Sequence, residues 1–350
     1  MNIELIQALD DLEKDKGIPK DKLLEGLKAA LKSAYDKSGY GPKDNAEIQI
    51  DENTGEVRVY SKREVVFEVE EEGEEISLAQ AREENPTCEV GDIIKVEVTP
   101  SDFGRIAAQT AKQVVIQRIR EAEREIVYEE FITQEGEIVT GTVQRCHEGN
   151  VIVDLGRTEA VLIPREQIDD EFYEPNDSIK VYIVEVEQTT KGPNVLVSRT
   201  HPGLLKRLFE IEVPEIQDGT VEIKSIAREA GGRSKMAVYS TNSDVDPVGS
   251  CVGPNGSRVR VVVNELNNEK IDIVEWSDDI KEYVSNALSP AEVIKVAADE
   301  EENVAEVIVP DHQLSLAIGK RGQNARLAAK LTGWKIDIKS ASQFEEAEVL

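Results

Sequence analysis

Two four-residue loops of the form GxxG, Gly253 to Gly256 and Gly319 to Gly322, stand 66 residues apart in this chain of 350. Each lies in the same order of elements: two runs of β-forming residues, a short helical stretch, the loop, a second helical stretch and a third β run. The trailing run repeats its letters, KIDI at residues 270–273 and again at 335–338. The leading pairs also correspond, residues 222–228 and 235–239 in the first copy and 293–299 and 306–310 in the second. A period of this length describes two copies of one module of about 70 residues. The fold must therefore build the same unit twice.

The loop chemistry points to an anionic ligand. Glycine has no Cβ, so two glycines three apart let the backbone approach a bound group closely. The helix that follows opens with N–H groups lacking intrahelical partners, and its dipole favours phosphate. This nominates Val252, Gly253, Pro254, Asn255, Gly256, Ser257 and Arg258 in the first copy, and Ile318, Gly319, Lys320, Arg321, Gly322, Gln323 and Asn324 in the second. Val252 and Ile318 are expected to anchor each turn to its core while the middle pair faces solvent. Lys320 and Arg321 suit phosphate oxygens. Pro254 and Asn255 carry no charge, so cations at the first loop are expected from Arg258 and Arg260 or from Lys224, Arg228, Arg233 and Lys235. The second loop is expected to hold phosphate more strongly per contact.

The order helix, strand, strand, helix, GxxG, helix, strand resembles the KH domain in its bacterial, type II arrangement. That resemblance implies a clamp on about four nucleotides of single-stranded RNA per loop. A lone Pro-Asn-Gly sequence reads more readily as an ordinary turn; the matched second copy is what favours the clamp.

Composition sets limits on this reading. The net charge is −29, and about half of the excess acid falls in the first 135 residues. Long-range attraction to a polyanion is then weak, so RNA binding must rest on local contacts and profits from delivery by another partner. The three cysteines, Cys88, Cys146 and Cys251, follow no metal-ligand spacing and leave one unpaired, which fits reduced thiols. No apolar run approaches membrane length and no stretch reads as a signal peptide. A cytoplasmic protein without metal, cofactor or membrane partner is expected.

The pattern divides into residues 1–135, 136–200, 201–278 and 279–345, a multidomain α+β chain. The first region reads as helices at 3–14 and 21–37, strands at 47–50, 57–60 and 64–69, a short helix at 78–84, a strand at 93–99 and a long helix at about 102–131. That last helix carries Arg105, Lys112, Arg118 and Arg120, which are either a solvated face or a docking surface for a large protein partner. Five short strands between 137 and 199 fit a small OB-type barrel. The glycines Gly136, Gly141 and Gly156 and the stretch IPREQI at 163–168 resemble the S1-type RNA-binding barrel. Obvious aromatic stacking platforms are missing there; Arg145, His147, Arg157 and Arg165 are the candidates for contact. Short connections after the barrel and between the two copies argue for one rigid unit, able to read a strand of about eight nucleotides.

An acidic α+β domain, an S1-type barrel and two adjoining type II KH domains together resemble the NusA family of bacterial transcription factors. The resemblance spans nearly the whole chain and rests on long strings: TPSDFGRIAAQTAKQVV at 99–115, LFEIEVPEI at 208–216, IAREAGGRSKMAV at 226–238, DPVGSCVGPNGSRV at 246–259 and LAIGKRGQNARLAAKLTGW at 316–334. It implies a monomeric factor that docks on core RNA polymerase near the RNA exit channel through its N-terminal domain. Such a factor holds nascent single-stranded RNA, promotes pausing and intrinsic termination, and joins other Nus factors in antitermination. A ribosome-associated RNA chaperone and a protein scaffold with vestigial loops are the rival readings. Catalysis is disfavoured, since the sequence offers no P-loop lysine motif, HExxH, nucleophile elbow or Cys/His cluster.

Overall fold

The computed structural model describes residues 14, 20–39, 45–51, 54–71 and 73–348, so nearly all of the helix expected at residues 3–14 lies outside the described residues. The chain divides into two compact units, Met1–Ile126 and Val127–Leu350. The division falls inside the long helix, ahead of the boundary at 135 expected from composition.

In the first unit, helix α1 (Lys20–Ser38) buries Leu23, Leu24, Leu27, Leu31 and Tyr35 on one face, the spacing that its sequence displays. Strands β1 (Ala46–Ile50), β2 (Val57–Val66), β3 (Glu75–Ser77) and β4 (Ile93–Glu97) form one sheet. Here the expected strands at 57–60 and 64–69 are corrected: β2 is a single ten-residue strand that stops at Val66. Its polar middle, Ser61 to Arg63, does not break it, because β4 pairs with residues from Tyr60 to Glu64 and Ser61 continues the buried face of Val59 and Val65. The third strand is β3, which runs parallel to the end of β2. Helix α2 (Leu78–Glu84) starts at Ser77, whose side chain accepts a hydrogen bond from the Gln80 amide.

The long helix α3 (Phe103–Ile132) places Phe103, Ala107 and Ala111 against α1, with the Phe103 and Tyr35 rings edge to face at 5.9 Å. Alanines four apart let the two helices approach closely. Arg105, Lys112, Arg118 and Arg120 are left on the exposed side, where Arg118 pairs with Glu121 at 2.8 Å.

In the second unit, the end of α3 inserts Phe131 into a barrel closed in the order β5-β6-β7-β9-β8. These strands are β5 (Ile138–His147), β6 (Asn150–Asp154), β7 (Glu159–Leu162), β8 (Ser178–Thr189) and β9 (Gly192–Ser198). Closure requires glycine at 141, where a Cβ would lie 2.4 Å from Val153 Cγ1 and 2.9 Å from the Asp154 carbonyl oxygen.

Two small sheets with the same topology follow. In the first, β10 (Val221–Glu229) is antiparallel to β11 (Arg233–Ser240), which is parallel to β12 (Lys270–Glu275). In the second, β13 (Lys295–Asp299), β14 (Val304–Val309) and β15 (Lys335–Ser340) repeat that pattern. The helices are α4 (Pro202–Glu212), α5 (Pro214–Gln217), α6 (Pro247–Val252) and α7 (Ser257–Glu265) in the first copy. The second copy has α8 (Ile280–Ala287), α9 (Leu314–Ile318), α10 (Gln323–Thr332) and α11 (Ala341–Glu348).

Buried ionic joints lock these modules together. The Arg199 guanidinium, 2% exposed, grips the Glu171 carboxylate of the barrel and donates to the Lys180 and Glu265 carbonyls at 2.8 and 2.9 Å. Arg207 of α4 donates to the Gly136 carbonyl at 2.8 Å. Between the copies, Ala227 and Ala237 of the first belong to the core of the second, and Ser225 Oγ donates to the Leu331 carbonyl at 2.9 Å. The barrel and both copies belong to one compact unit.

Two cations proposed for the first loop are interior pillars instead. Arg228 and Glu269 pair at 2.8 Å with both side chains fully buried, and the same carboxylate accepts from Ser234 and from the Gly231 amide. Lys235, also fully buried, donates to the Ser289 carbonyl at 2.6 Å and pairs with Asp272 at 3.1 Å. A buried charge persists only when paired and hydrogen-bonded, and each of these has such partners. Among the cysteines, Cys88 and Cys251 are buried, Cys146 is exposed and all three are free, with burial pushing the Cys251 thiol up to about 12.

Burial alone would raise the Glu269 carboxyl, but the hydrogen bonds and charge of Arg228 outweigh it and hold the group below the usual carboxylate range. A depressed folded value contributes stability above the unfolded value of about 4.3 that is lost as pH falls through the folded one. Glu269→Gln leaves Arg228 uncompensated and is expected to lower stability at pH 7 by about 3–5 kcal/mol. It is also expected to flatten the acid limb, as measured by urea unfolding between pH 7 and pH 3.

Candidate nucleic-acid interface

The two loops superpose in backbone conformation. Gly253 and Gly319 adopt φ/ψ of 72/173° and 76/171°, a region open to essentially no residue but glycine. The third positions, Asn255 and Arg321, are left-handed at 52/28° and 55/30°. The closing glycines, Gly256 and Gly322, are left-handed at 73/22° and 74/15° and lead directly into α7 and α10. Asparagine visits this region readily; arginine does so at a cost. No side chain caps either helix; the Ser257 and Gln323 amides donate to the Pro254 and Lys320 carbonyls of the loops, and helix-start amides beyond them are the groups suited to an anionic acceptor.

Corresponding residues brace both loops. Five positions beyond the first glycine, Arg258 and Asn324 pack against it: a Cβ on Gly253 would meet Arg258 Cγ at 2.7 Å, and one on Gly319 would meet the Asn324 amide nitrogen at 2.7 Å. Both side chains reach back to the preceding short helix, Arg258 to the Ser250 carbonyl at 2.6 Å and Asn324 to the Ala317 carbonyl at 3.0 Å. Seven positions beyond, Arg260 donates to the Asn255 carbonyl at 3.1 Å and Arg326 to the Arg321 carbonyl at 3.3 Å. Arg326 was not among the sequence candidates, although its equivalence to Arg260 is legible once the copies are aligned.

The expected anchors shift by one residue. Cys251 and Ala317 are fully buried and hold the turns, whereas Val252 is half-buried and Ile318 is exposed along with Leu316 and Val261. Each pre-loop helix is short, and its inward face ends one residue earlier than the apolar letters suggest. Apolar surface therefore borders both loops.

The cations are mostly committed. Lys320 and Arg321 are exposed and have no carboxylate partner among the described residues. Arg258 pairs with Glu215 at 2.8 Å, Arg233 lies 3.7 Å from Asp272, and Gln323 donates to Glu229. Asn324 is 1% exposed and serves the loop from inside. Lys224 lies over the Tyr239 and Trp276 rings at 5.2 and 5.4 Å. On the barrel, Arg145, Arg157 and Arg165 lie beside Glu159, Glu130 and Glu166 at 3.0, 2.7 and 3.5 Å, and His147 is exposed. Phe172, 88% exposed between β7 and β8, is an aromatic surface that the sequence analysis overlooked. No group of side chains able to hold a metal ion occurs among the described residues, and no described helix is long and apolar enough to cross a membrane.

A closed five-stranded barrel followed by two GxxG modules of type II topology defines a multidomain protein built of RNA-binding folds. Family models agree along the chain: NusA N-terminal domain at residues 4–125, S1 RNA binding domain at 133–198, NusA-like first KH domain at 199–276 and NusA-like second KH domain at 280–346. The chain belongs to the NusA family. It is 60% identical over 350 residues to the transcription termination/antitermination protein NusA of Halalkalibacterium halodurans, covering 100% of this chain and 91% of that one. It is 60% identical over 346 residues to the protein of that name from Bacillus subtilis, covering 99% and 93%, and 45% identical to the one from Thermus thermophilus, covering 100% and 91%.

The conformations separate the roles of the glycines. Gly319→Ala, which adds a clash to a forbidden φ/ψ, is expected to destabilise the second copy by about 1–3 kcal/mol, whereas Gly322→Asn keeps a left-handed residue in open space and is expected to cost well under about 1 kcal/mol. Thermal unfolding of the two variants side by side checks the difference.

Proposed function

We propose that this chain is a transcription termination and antitermination factor. It holds nascent single-stranded RNA across the two GxxG loops while its N-terminal unit docks on RNA polymerase. The carrying observation is the pair of loops with one backbone conformation, each opening onto an uncapped helix and bordered by exposed apolar residues. Phosphates fit the amides and the Lys320 and Arg321 charges, bases fit the apolar border, and two such clamps take about eight nucleotides.

The side-chain inventory also explains why a tether is useful. On an acidic body with most clamp cations already paired, free RNA affinity is modest. Attachment to the enzyme that makes the RNA raises the local concentration of the transcript. The exposed Arg105, Lys112, Arg118 and Arg120 are our candidates for the polymerase side, in a monomeric cytoplasmic protein that acts by binding rather than catalysis. Recruitment of other Nus factors belongs to the same reading.

Lys320→Asp combined with Arg321→Asp is expected to weaken binding to single-stranded RNA and to flatten its salt dependence by about 0.7 per lost phosphate contact. A folded double variant with unchanged affinity and slope refutes the clamp. Removing residues 1–126, which spares Phe131 for the barrel core, is expected to leave RNA binding intact and abolish pause prolongation by purified polymerase. A truncated protein that still prolongs pauses refutes the tether.

A further inference from the structure

The second loop is completed by the first copy. Strand β10 ends at Glu229, whose carboxylate accepts from Arg326 Nε at 2.6 Å and Arg326 Nη2 at 3.1 Å, and from Gln323 Nε2 at 3.0 Å. Gln323 is the first residue of α10, directly after Gly322, and Arg326 also donates to the Arg321 carbonyl. The β10–β11 turn presses close, with a Cβ on Gly232 falling 3.3 Å from Gln323 Nε2. A two-pronged guanidinium grip on an anion at the start of the clamp helix is the arrangement that a phosphate adopts with arginine.

At the first loop the carboxylate sits elsewhere: Glu215 pairs with Arg258 at 2.8 Å, and the position equivalent to Arg326 has no such occupant among the described residues. Arg260, the equivalent of Arg326, reaches the Asn255 carbonyl and pairs with no carboxylate among the described residues. The asymmetry falls on the loop with the free Lys320 and Arg321. The ion pair is accessible, with side chains 47% and 25% exposed for Arg326 and Glu229, so a solvent-borne anion can reach it.

We propose that Glu229 is a built-in competitor for RNA phosphate at the second clamp, occupying Arg326 in the free protein and giving it up when a transcript binds. This rests on the clamp reading above and deepens it. Hydrogen bonding to Arg326 holds the Glu229 carboxyl below its ordinary range, so the group is an anion throughout the neutral range and the exchange is of one anion for another. The consequence is a throttle on the more basic loop: affinity for stray RNA stays low, and occupancy depends on a high local concentration of transcript.

The test uses the full chain and a labelled ten-nucleotide mixed-sequence single-stranded RNA, with anisotropy titrations at several KCl concentrations. Glu229→Gln keeps the size and a hydrogen-bonding group but removes the charge. It is expected to tighten binding about three- to tenfold and to steepen the salt dependence by up to about 0.7. In an Arg326→Gln background the same substitution is expected to give a much smaller gain, because the two residues act as a pair. Binding by Glu229→Gln that is equal to or weaker than the parent overturns the proposal, as does a gain undiminished in the Arg326→Gln background. Should Glu229→Gln lose its fold, the parent protein carries the test: the Arg326 Nε resonance in a 15N-arginine sample is expected to shift on RNA addition, and a fixed resonance at saturation overturns the exchange. If the Lys320→Asp/Arg321→Asp protein loses RNA binding while these arms fail, this inference alone falls; if that protein binds like the parent, the clamp reading falls with it.

Discussion

Both candidate clamps depend on one steric constraint: at Gly253 and Gly319 the backbone turns through a conformation that a Cβ would forbid, directly beneath the residue five positions on. That close approach lets Arg258 and Asn324 tie the loop to the helix before it while the next helix begins uncapped. With a bulkier residue the loop would move away from its brace, and the amides would lose the shared direction that makes them useful to a phosphate. The matching dihedral angles in two copies with different loop letters, PN and KR, show that the backbone constraint is independent of the charge placed on it.

Charge is the second organising quantity. A chain with a net charge of −29 cannot attract RNA at long range, and the structure uses most nearby cations internally. Arg228 and Lys235 stabilise the first copy from within, Arg199 joins barrel to module, and Arg258 and Arg326 are each held by a carboxylate. Lys320 and Arg321, exposed on one loop, have no carboxylate partner among the described residues. In the proposed role such a surface would hold RNA through geometry and short-range contact more than through its field, which suits a factor delivered to its transcript.

Much of this was legible in the letters. The duplicated GxxG modules, the five short strands of the barrel and the leucine spacing of α1 all appear as local periodicities, and each element forms where its pattern lies. The misreadings share one cause. Residues 57–66 look like two strands because Ser61, Lys62 and Arg63 are polar, yet sheet partners on either side make them one strand. Val252 and Ile318 look like anchors because they are apolar, yet Cys251 and Ala317 point inward. Arg228 and Lys235 look like surface cations until the buried Glu269 and Asp272 are seen against them.

The sequence by itself determined which modules the chain contains, their order, and where glycine is obligatory, because those properties follow from neighbours along the backbone and from the absence of a side chain. Only the tertiary structure decided which charges reach solvent. A cation's availability depends on the carboxylate brought to it from 40 or 100 residues away, as Glu269 is brought to Arg228 and Glu229 to Arg326, and packing of one module on the next, not local spacing, makes those pairs.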